Sequence, residues 1–324
     1  MRFKQRILNH FDIEPGFYQG PAFKKLFSNI YDSMKGDEFI TLIGGPGCGK
    51  KTVVNSVWQQ IEKENELGNR KHHHIVYIHA QDKQKIRINQ IINAMIYDLS
   101  SENPTRDPEL KARHLARILG NITHTRKEKV TVIIEQAHQL HGNTIRALKE
   151  LRELKFLGNL DMFGIVLIGH KPLKDKIERL DDVVLRVEME EMTEATGWMN
   201  YDERLDYLKA RFGALLTGKM REQIALAYKT PLSMDRLIYE KMKEVYERGD
   251  NAFKEADFML DLRTIVQSCN LSYQIIADAT PNKVSKTAVG LVINGKYDNQ
   301  AVIDEVTQTI AELTGKTQKL QKTG

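Results

Sequence analysis

The stretch Gly44-Gly45-Pro46-Gly47-Cys48-Gly49-Lys50-Lys51-Thr52 constrains the fold more than any other part of the chain. It follows an apolar, β-branched run, Glu38 to Ile43, and precedes a helix-forming run, Thr52 to Trp58. Strand, glycine-rich loop and helix in that order are the context of a phosphate-binding P-loop. The glycines let backbone N–H groups turn inward around a phosphate, the helix N-terminus adds partial positive charge, and a lysine adds a full one. The G-x-x-x-x-G-K core is complete at Gly44, Gly49 and Lys50. The next position holds Mg²⁺ through a Ser or Thr hydroxyl in such loops; here it is Lys51. The loop is built for nucleotide phosphate and altered where the metal sits.

The pattern around the loop predicts an α/β fold. Ile75–Ile78, Val130–Glu135, Phe163–Ile168 and Val183–Met189 read as strands, alternating with helical runs at Ile86–Leu99, Pro108–Leu119 and Asn143–Phe156. Such alternation implies a parallel sheet with helices on both faces, and ligands bind such sheets beyond the C-terminal strand ends. The P-loop, Glu135 and His170 all fall there. Upstream, Ala22–Met34 reads as an amphipathic helix with Phe23, Leu26, Ile30 and Met34 on one face. Phe17 and Tyr18 are candidates either to stack on an adenine or to pack in the core. His72-His73-His74 reads as a solvated loop edge, because neighbouring strand residues face opposite ways and cannot share one metal.

From Thr193 the pattern turns helical, at Met199–Phe212, Lys219–Ala227 and Ser233–Arg248. The expected organisation is a lead-in over 1–36, a nucleotide-binding α/β domain over 37–192, a helical lid over 193–249, a small all-α domain over 250–314 and a disordered basic tail over 315–324. With 324 residues the chain has room for these parts. Its two cysteines, Cys48 and Cys269, argue against a disulfide framework and fit a reducing cytoplasm. No apolar run approaches the roughly 20 residues needed to span a bilayer, so no membrane partner is expected. The net charge of +5 permits a nucleic-acid partner without requiring one.

The strand Val130–Glu135 occupies the Walker B place. ATPases of this kind use two acids there: the first holds Mg²⁺ and the second polarises the attacking water. This chain has Glu135-Gln136. Glu135 keeps the charge and can reach a metal, whereas the Gln136 amide accepts no proton at neutral pH. Thr52 offers a hydroxyl one residue late, about 100° around the helix from position 51. His138 or a neighbouring subunit is the alternative source of a base. The expected cofactors are ATP and Mg²⁺, with weak or absent hydrolysis.

The Gly-Gly-Pro-Gly-Cys-Gly-Lys loop, the strand end Val-Ile-Ile-Glu-Gln-Ala-His and Ile-Val-Leu-Ile-Gly-His-Lys-Pro-Leu resemble the AAA+ ATPases of DNA transposition. These include the B protein of Mu-like phages and the target-selecting regulators of bacterial transposons, and the general-secretion A-protein ATPases are related. The resemblance covers roughly residues 15–245. It implies an AAA+ fold with a helical lid. It gives His170 the sensor role near the γ-phosphate, makes Arg186 a basic residue able to act on a neighbouring subunit, and makes Arg236 the nearest candidate for the second sensor arginine.

Leu271–Thr280 and Ser285–Tyr297 read as two short helices joined by a turn, with Ser272 and Ser285 as N-caps, Ala277 at the crossing and Gly295 ending the second. This resembles the helix-turn-helix of phage repressors. Lys283, Ser285, Lys286, Thr287 and Lys296, with Asn282, are the candidate DNA-contacting residues, and an ordinary helical module with exposed lysines is the alternative. The second helix carries no Arg, so weak, largely sequence-neutral contact with double-stranded DNA is expected. The reading these features favour is an ATP-binding regulator of transposition that self-associates into a ring or filament on DNA and presents it to a transposase. The alternatives are a nucleotide-switched repressor-like regulator and a replication initiator or loader ATPase.

Overall fold

In the computed structural model the described residues are 10–11, 18–68, 71–80, 86–156, 161–192, 199–258, 262–268 and 271–323. They divide into two compact units, Pro21–Trp198 and Met199–Gly324 with Met1–Gly20.

The first unit is built on β1 (Phe39–Gly44), β2 (His73–His79), β3 (Lys129–Glu135), β4 (Gly164–Gly169) and β5 (Glu188–Met192). These form one sheet in the order β2-β3-β4-β1-β5, with every pairing parallel. Side chains of a strand alternate between faces, so each strand feeds two cores. Phe39, Val132, Ile134, Ile165 and Leu167 enter one. Ile40, Leu42, Ile133, Val166 and Ile168 enter the other. The second core is covered by α1 (Pro21–Lys35) through Phe23, Leu26, Ile30 and Met34, and by α2 (Lys50–Leu67) through Val53, Val54, Val57 and Ile61. The first is covered by α3 (Ile88–Leu99), α4 (Pro108–Gly120), α5 (Gly142–Arg152) and α6 (Lys171–Glu178), which contribute Ile91, Leu115, Ile145 and Leu173. Side chains this fully buried each contribute roughly 1.5–3 kcal/mol. Register sets the site: Leu42 lies opposite Ile168, Ile168 opposite Glu135, and Glu135 opposite His79. The C-terminal ends of four strands therefore meet along one edge.

Two expectations fail in this unit. The strand expected over Val183–Met189 begins only at Glu188: a short helix α7 (Asp181–Val184) and a turn precede β5. The amides of Val183 and Val184 both donate to the Leu180 carbonyl, at 2.8 and 2.9 Å, and Val183 is fully buried. Local bonds and burial outweigh the β-branched composition here. β5 itself is an acidic edge strand, whose charges suit an unpaired edge. Nor is the histidine run a solvated loop edge. His73 and His74 belong to β2; His73 is buried with Nε2 2.8 Å from Thr131 Oγ1, and His74 Nε2 is 2.8 Å from Glu128 Oε2.

The second unit begins with α8 (Tyr201–Phe212), α9 (Gly218–Ala227) and α10 (Pro231–Glu247), whose N-caps Asn200, Thr217 and Thr230 accept first-turn amides. Arg204 is buried among them and donates to the carbonyls of Ala225 and Met199. Then come α11 (Leu262–Ser268), α12 (Tyr273–Ala279), α13 (Lys286–Ile293) and α14 (Gln300–Thr323), packed around Val266, Ile276, Val289, Val292, Val306 and Ile310. The tail expected to be disordered continues α14 as far as Thr323, because its Lys, Gln and Leu favour helix and Gly315 costs only about 1 kcal/mol. Within this unit the ring of Tyr18 meets Tyr207 edge-on at 5.6 Å; Phe17 lies outside the described residues. No described helix is long and apolar enough to cross a membrane.

Candidate nucleotide-binding site

The loop between β1 and α2 has the backbone its glycines allow. Gly49, the N-cap of α2, has φ 98°, and Gly47 has φ 76°, both in the left-handed region that other residues enter at a cost. At Gly44 a Cβ would lie 3.0 Å from Met192 Cβ, so a side chain there would push β5 away. Gly45, Pro46 and Gly47 form the open part of the loop, and Cys48 turns inward. Cys48 is buried in the core beneath α1 and α2, and burial raises its thiol pKa. It anchors the underside of the loop.

Lys50 Nζ donates to the carbonyls of Gly44 at 2.8 Å and Gly45 at 2.7 Å. Burial lowers its pKa. A negatively charged phosphate favours the ammonium form, so bound nucleotide and the charge of Lys50 reinforce each other. The Gly44 carbonyl also accepts from His170 Nδ1 at 2.8 Å. The ring of His170 stands 4.7 Å from that of His138. Burial, then the charges of His170, Lys176 and Lys50, lower the His138 pKa.

Glu135 ends β3 with its carboxylate engaged on three sides. Oε2 accepts from Lys51 Nζ at 3.2 Å and from the Tyr77 hydroxyl, and His79 Nε2 lies 3.3 Å away. Burial pushes its pKa up, but the bonds from Tyr77 and Lys51 and the charges of Lys51 and His79 outweigh burial and hold it below the usual carboxylate range. The phenol of Tyr77 is raised by burial and then by Glu135. Gln136 follows with φ 56°, an uncommon left-handed conformation for a side-chain-bearing residue, and its Oε1 accepts from Gln139 Nε2 at 2.6 Å. Thr52 is exposed in the first turn of α2, where its carbonyl accepts from Ser56.

The structure thus gathers Gly44 to Lys51, Glu135 and His170 at one sheet edge and adds Tyr77 and His79, which sequence reasoning missed. The signal that finds them is register, with His79 opposite Glu135 and Tyr77 two residues earlier on the same face. Arg186 is exposed in the turn between α7 and β5, beside Leu185, which is 87% exposed. Arg236 is exposed on α10 in the other unit, and its Nε donates to Glu240 at 2.8 Å.

In the helix pair α12–α13, Ser272 and Ser285 accept the amides of Ile275 and Ala288. Gly295, φ 66°, ends α13: its amide donates to Val292 and that of Lys296 to Leu291, a Schellman closure. Lys283, Ser285, Lys286, Thr287 and Lys296 are all exposed. Asn282 is not available as DNA contact in the way its exposure in sequence suggests. Its amide and its Nδ2 both donate to Glu305, each at 2.8 Å, so α14 holds it and brings an acid beside the turn.

Residues 33–177 match the family model of an AAA domain. No curated protein matches the chain. Among solved structures it is similar to Cdc6p from Pyrobaculum aerophilum, at 16% identity and TM-score 0.52 over 95% of this chain and 84% of that one. It is similar to the Aeropyrum pernix ORC2 protein in its ADPNP–ADP complexes, at 13% identity and TM-score 0.53 over 96% and 90%. It is also similar to the Aeropyrum pernix ORC1 protein in complex with DNA, at 12% identity and TM-score 0.52 over 96% and 85%. Identities this low speak to fold alone. The matched residues 33–177, similar to an AAA domain, carry the P-loop and four of the five strands of the parallel sheet; β5 and a helical part follow them in the chain.

Proposed function

We propose that the chain is an ATP-binding AAA+ protein that self-associates on duplex DNA when nucleotide is bound, and that it hydrolyses ATP weakly or not at all. One observation carries this reading: the phosphate-binding loop Gly44–Lys50 is intact, while the acid pair at the end of β3 is Glu135-Gln136. Lys50 and the loop amides hold the phosphates. His170, hydrogen-bonded to the Gly44 carbonyl, faces the γ-phosphate end of the loop and reports its presence. Gln136 orients water without removing its proton. Glu135, at the place of the metal-holding acid, is already engaged by Lys51.

Arg186 supports assembly. It lies exposed on a turn with no hydrogen bond or ion pair of its side chain among the described residues, as a residue acting on the nucleotide of a neighbouring subunit would. DNA is held by Lys283, Ser285, Lys286, Thr287 and Lys296, through phosphates more than bases. The likeness to ORC1, solved with DNA, and to ORC2, solved with ADPNP and ADP, supports both ligands.

Two roles fit such an assembly. The fold likeness over 95–96% of the chain favours a replication initiator of the ORC/Cdc6 kind. The motif resemblance at the P-loop, Glu135 and His170 favours a transposition regulator that delivers DNA to a transposase. Sedimentation with duplex DNA, with and without ATP, tests the shared claim. Large complexes that require ATP are expected and are lost in Arg186→Ala; equal sedimentation with and without ATP overturns the proposal. Co-purification with a transposase or with a replicative helicase then separates the two roles.

A further inference from the structure

We propose that the ammonium of Lys51 replaces Mg²⁺ in this site, so that the P-loop binds nucleotide without a metal ion. The inference rests on the nucleotide-binding reading and adds to it how the phosphate charge is balanced.

Position comes first. Lys51 stands in the first turn of α2, one residue after the phosphate lysine, where a hydroxyl oxygen would bind the metal. A lysine ammonium has three donors and no lone pair, so it cannot ligate a cation. Geometry comes second. Lys51 Nζ reaches across to the strand end and sits 3.2 Å from Glu135 Oε2. It therefore lies between the loop and the acid.

The acid itself is occupied. Tyr77, Lys51 and His79 all approach the same oxygen of Glu135. Mg²⁺ requires near-octahedral oxygen ligands at about 2.0–2.1 Å and seldom sheds its waters. To bind here it would have to displace donors from Oε2 or take the other oxygen of Glu135, and in either case settle beside the like charge of Lys51. Thr52 offers no replacement ligand from its exposed position around the helix. Among the described residues no group of three or more His, Cys, Asp or Glu is arranged to hold a metal.

The ammonium is nonetheless free to meet a ligand. The Lys51 side chain is 58% exposed, and its hydrogen bond to Glu135 uses one donor of three. Two N–H groups remain for phosphate oxygens. Lys50 and Lys51 then present two adjacent positive charges to the phosphates, with Glu135 fixing the second. Gln136 fits the same picture: without a metal to neutralise charge developing on the phosphates, a base beside the attacking water would gain little.

The test is equilibrium binding of fluorescent ADP and ATP to the full chain in EDTA and in millimolar Mg²⁺. The expected dissociation constants agree within about threefold between the two buffers. Lys51→Met is expected to weaken binding in EDTA by about tenfold or more, and Lys51→Thr to make binding depend on Mg²⁺. Wild-type binding at least about tenfold weaker in EDTA overturns the inference and leaves the nucleotide reading standing. No binding in either buffer overturns both. The wild-type comparison decides the matter even if a variant fails to fold.

Discussion

Lys51 and Glu135, 84 residues apart in the chain, meet at 3.2 Å between the first turn of α2 and the end of β3. The pair joins the phosphate loop to the strand that carries the acid, and it places a fixed positive charge at the point where nucleotide phosphates approach. Restoring the usual chemistry at both altered positions tests its meaning for turnover. A positioned general base contributes roughly 10²–10⁴-fold to rate. The double substitution Lys51→Thr with Gln136→Glu is therefore expected to raise phosphate release at least about tenfold in Mg²⁺. An unchanged rate in a variant that still binds ATP would show that these two positions do not limit hydrolysis.

Gly49 is the backbone pivot of the loop. Its φ of 98° lies in the left-handed region, which costs an L-residue roughly 1–2 kcal/mol. Gly49→Ala is expected to lower the unfolding free energy by about that amount and to weaken nucleotide binding by misaiming the loop amides. Thermal melts with and without nucleotide check both effects; a variant as stable and as tightly binding as the parent refutes the strain argument.

His73 makes stability depend on pH. Burial first, then the charges of Lys35, Lys129 and His74, push its pKa down to about 4 from 6.5. Between those values the unfolded chain binds a proton that the folded chain excludes. The contribution of His73 to stability is therefore complete above pH 6.5 and is lost as pH falls toward 4. The loss at pH 5 is on the order of 2 kcal/mol. Chemical denaturation at pH 7.5 and pH 5 should show a smaller difference between the two pH values in His73→Gln than in the parent. Equal differences would place the titration elsewhere.

Lys283 and Lys286 flank the start of α13. If each contacts one DNA phosphate, replacing either by Ala reduces the slope of log affinity against log salt by about 0.9. The loss should be uniform across unrelated duplexes, because Lys286 and Thr287 offer little base discrimination. A loss confined to one sequence would instead mean base readout. A salt series on several duplexes distinguishes the outcomes.

Features set by short stretches of chain were legible in the sequence. Gly44, Gly49 and Lys50 declare the loop by spacing alone. The β-branched apolar run in Val130–Glu135 and the face formed by Phe23, Leu26, Ile30 and Met34 declare what is buried, and Ser272 and Ser285 declare where helices begin. What escaped was set by partners far along the chain. Tyr77 and His79 join the site only through the register of β2 on β3. His73 and His74 look like loop residues until Thr131 and Glu128 are beside them. Asn282 looks free until Glu305 takes both of its donors. Val183–Met189 misleads for the opposite reason, since its β-branched residues suggest a strand while bonds to the Leu180 carbonyl close a helical turn.

The central claim is that the loop between β1 and α2 binds ATP and retains it unhydrolysed. One sample measures both parts directly: radiolabelled ATP, bound at equilibrium to the full chain in the presence of duplex DNA, followed for released phosphate. Saturable binding that Lys50→Ala abolishes, with phosphate release no faster than in that variant, is the expected result. Steady turnover well above the Lys50→Ala level, or no saturable binding, would contradict it.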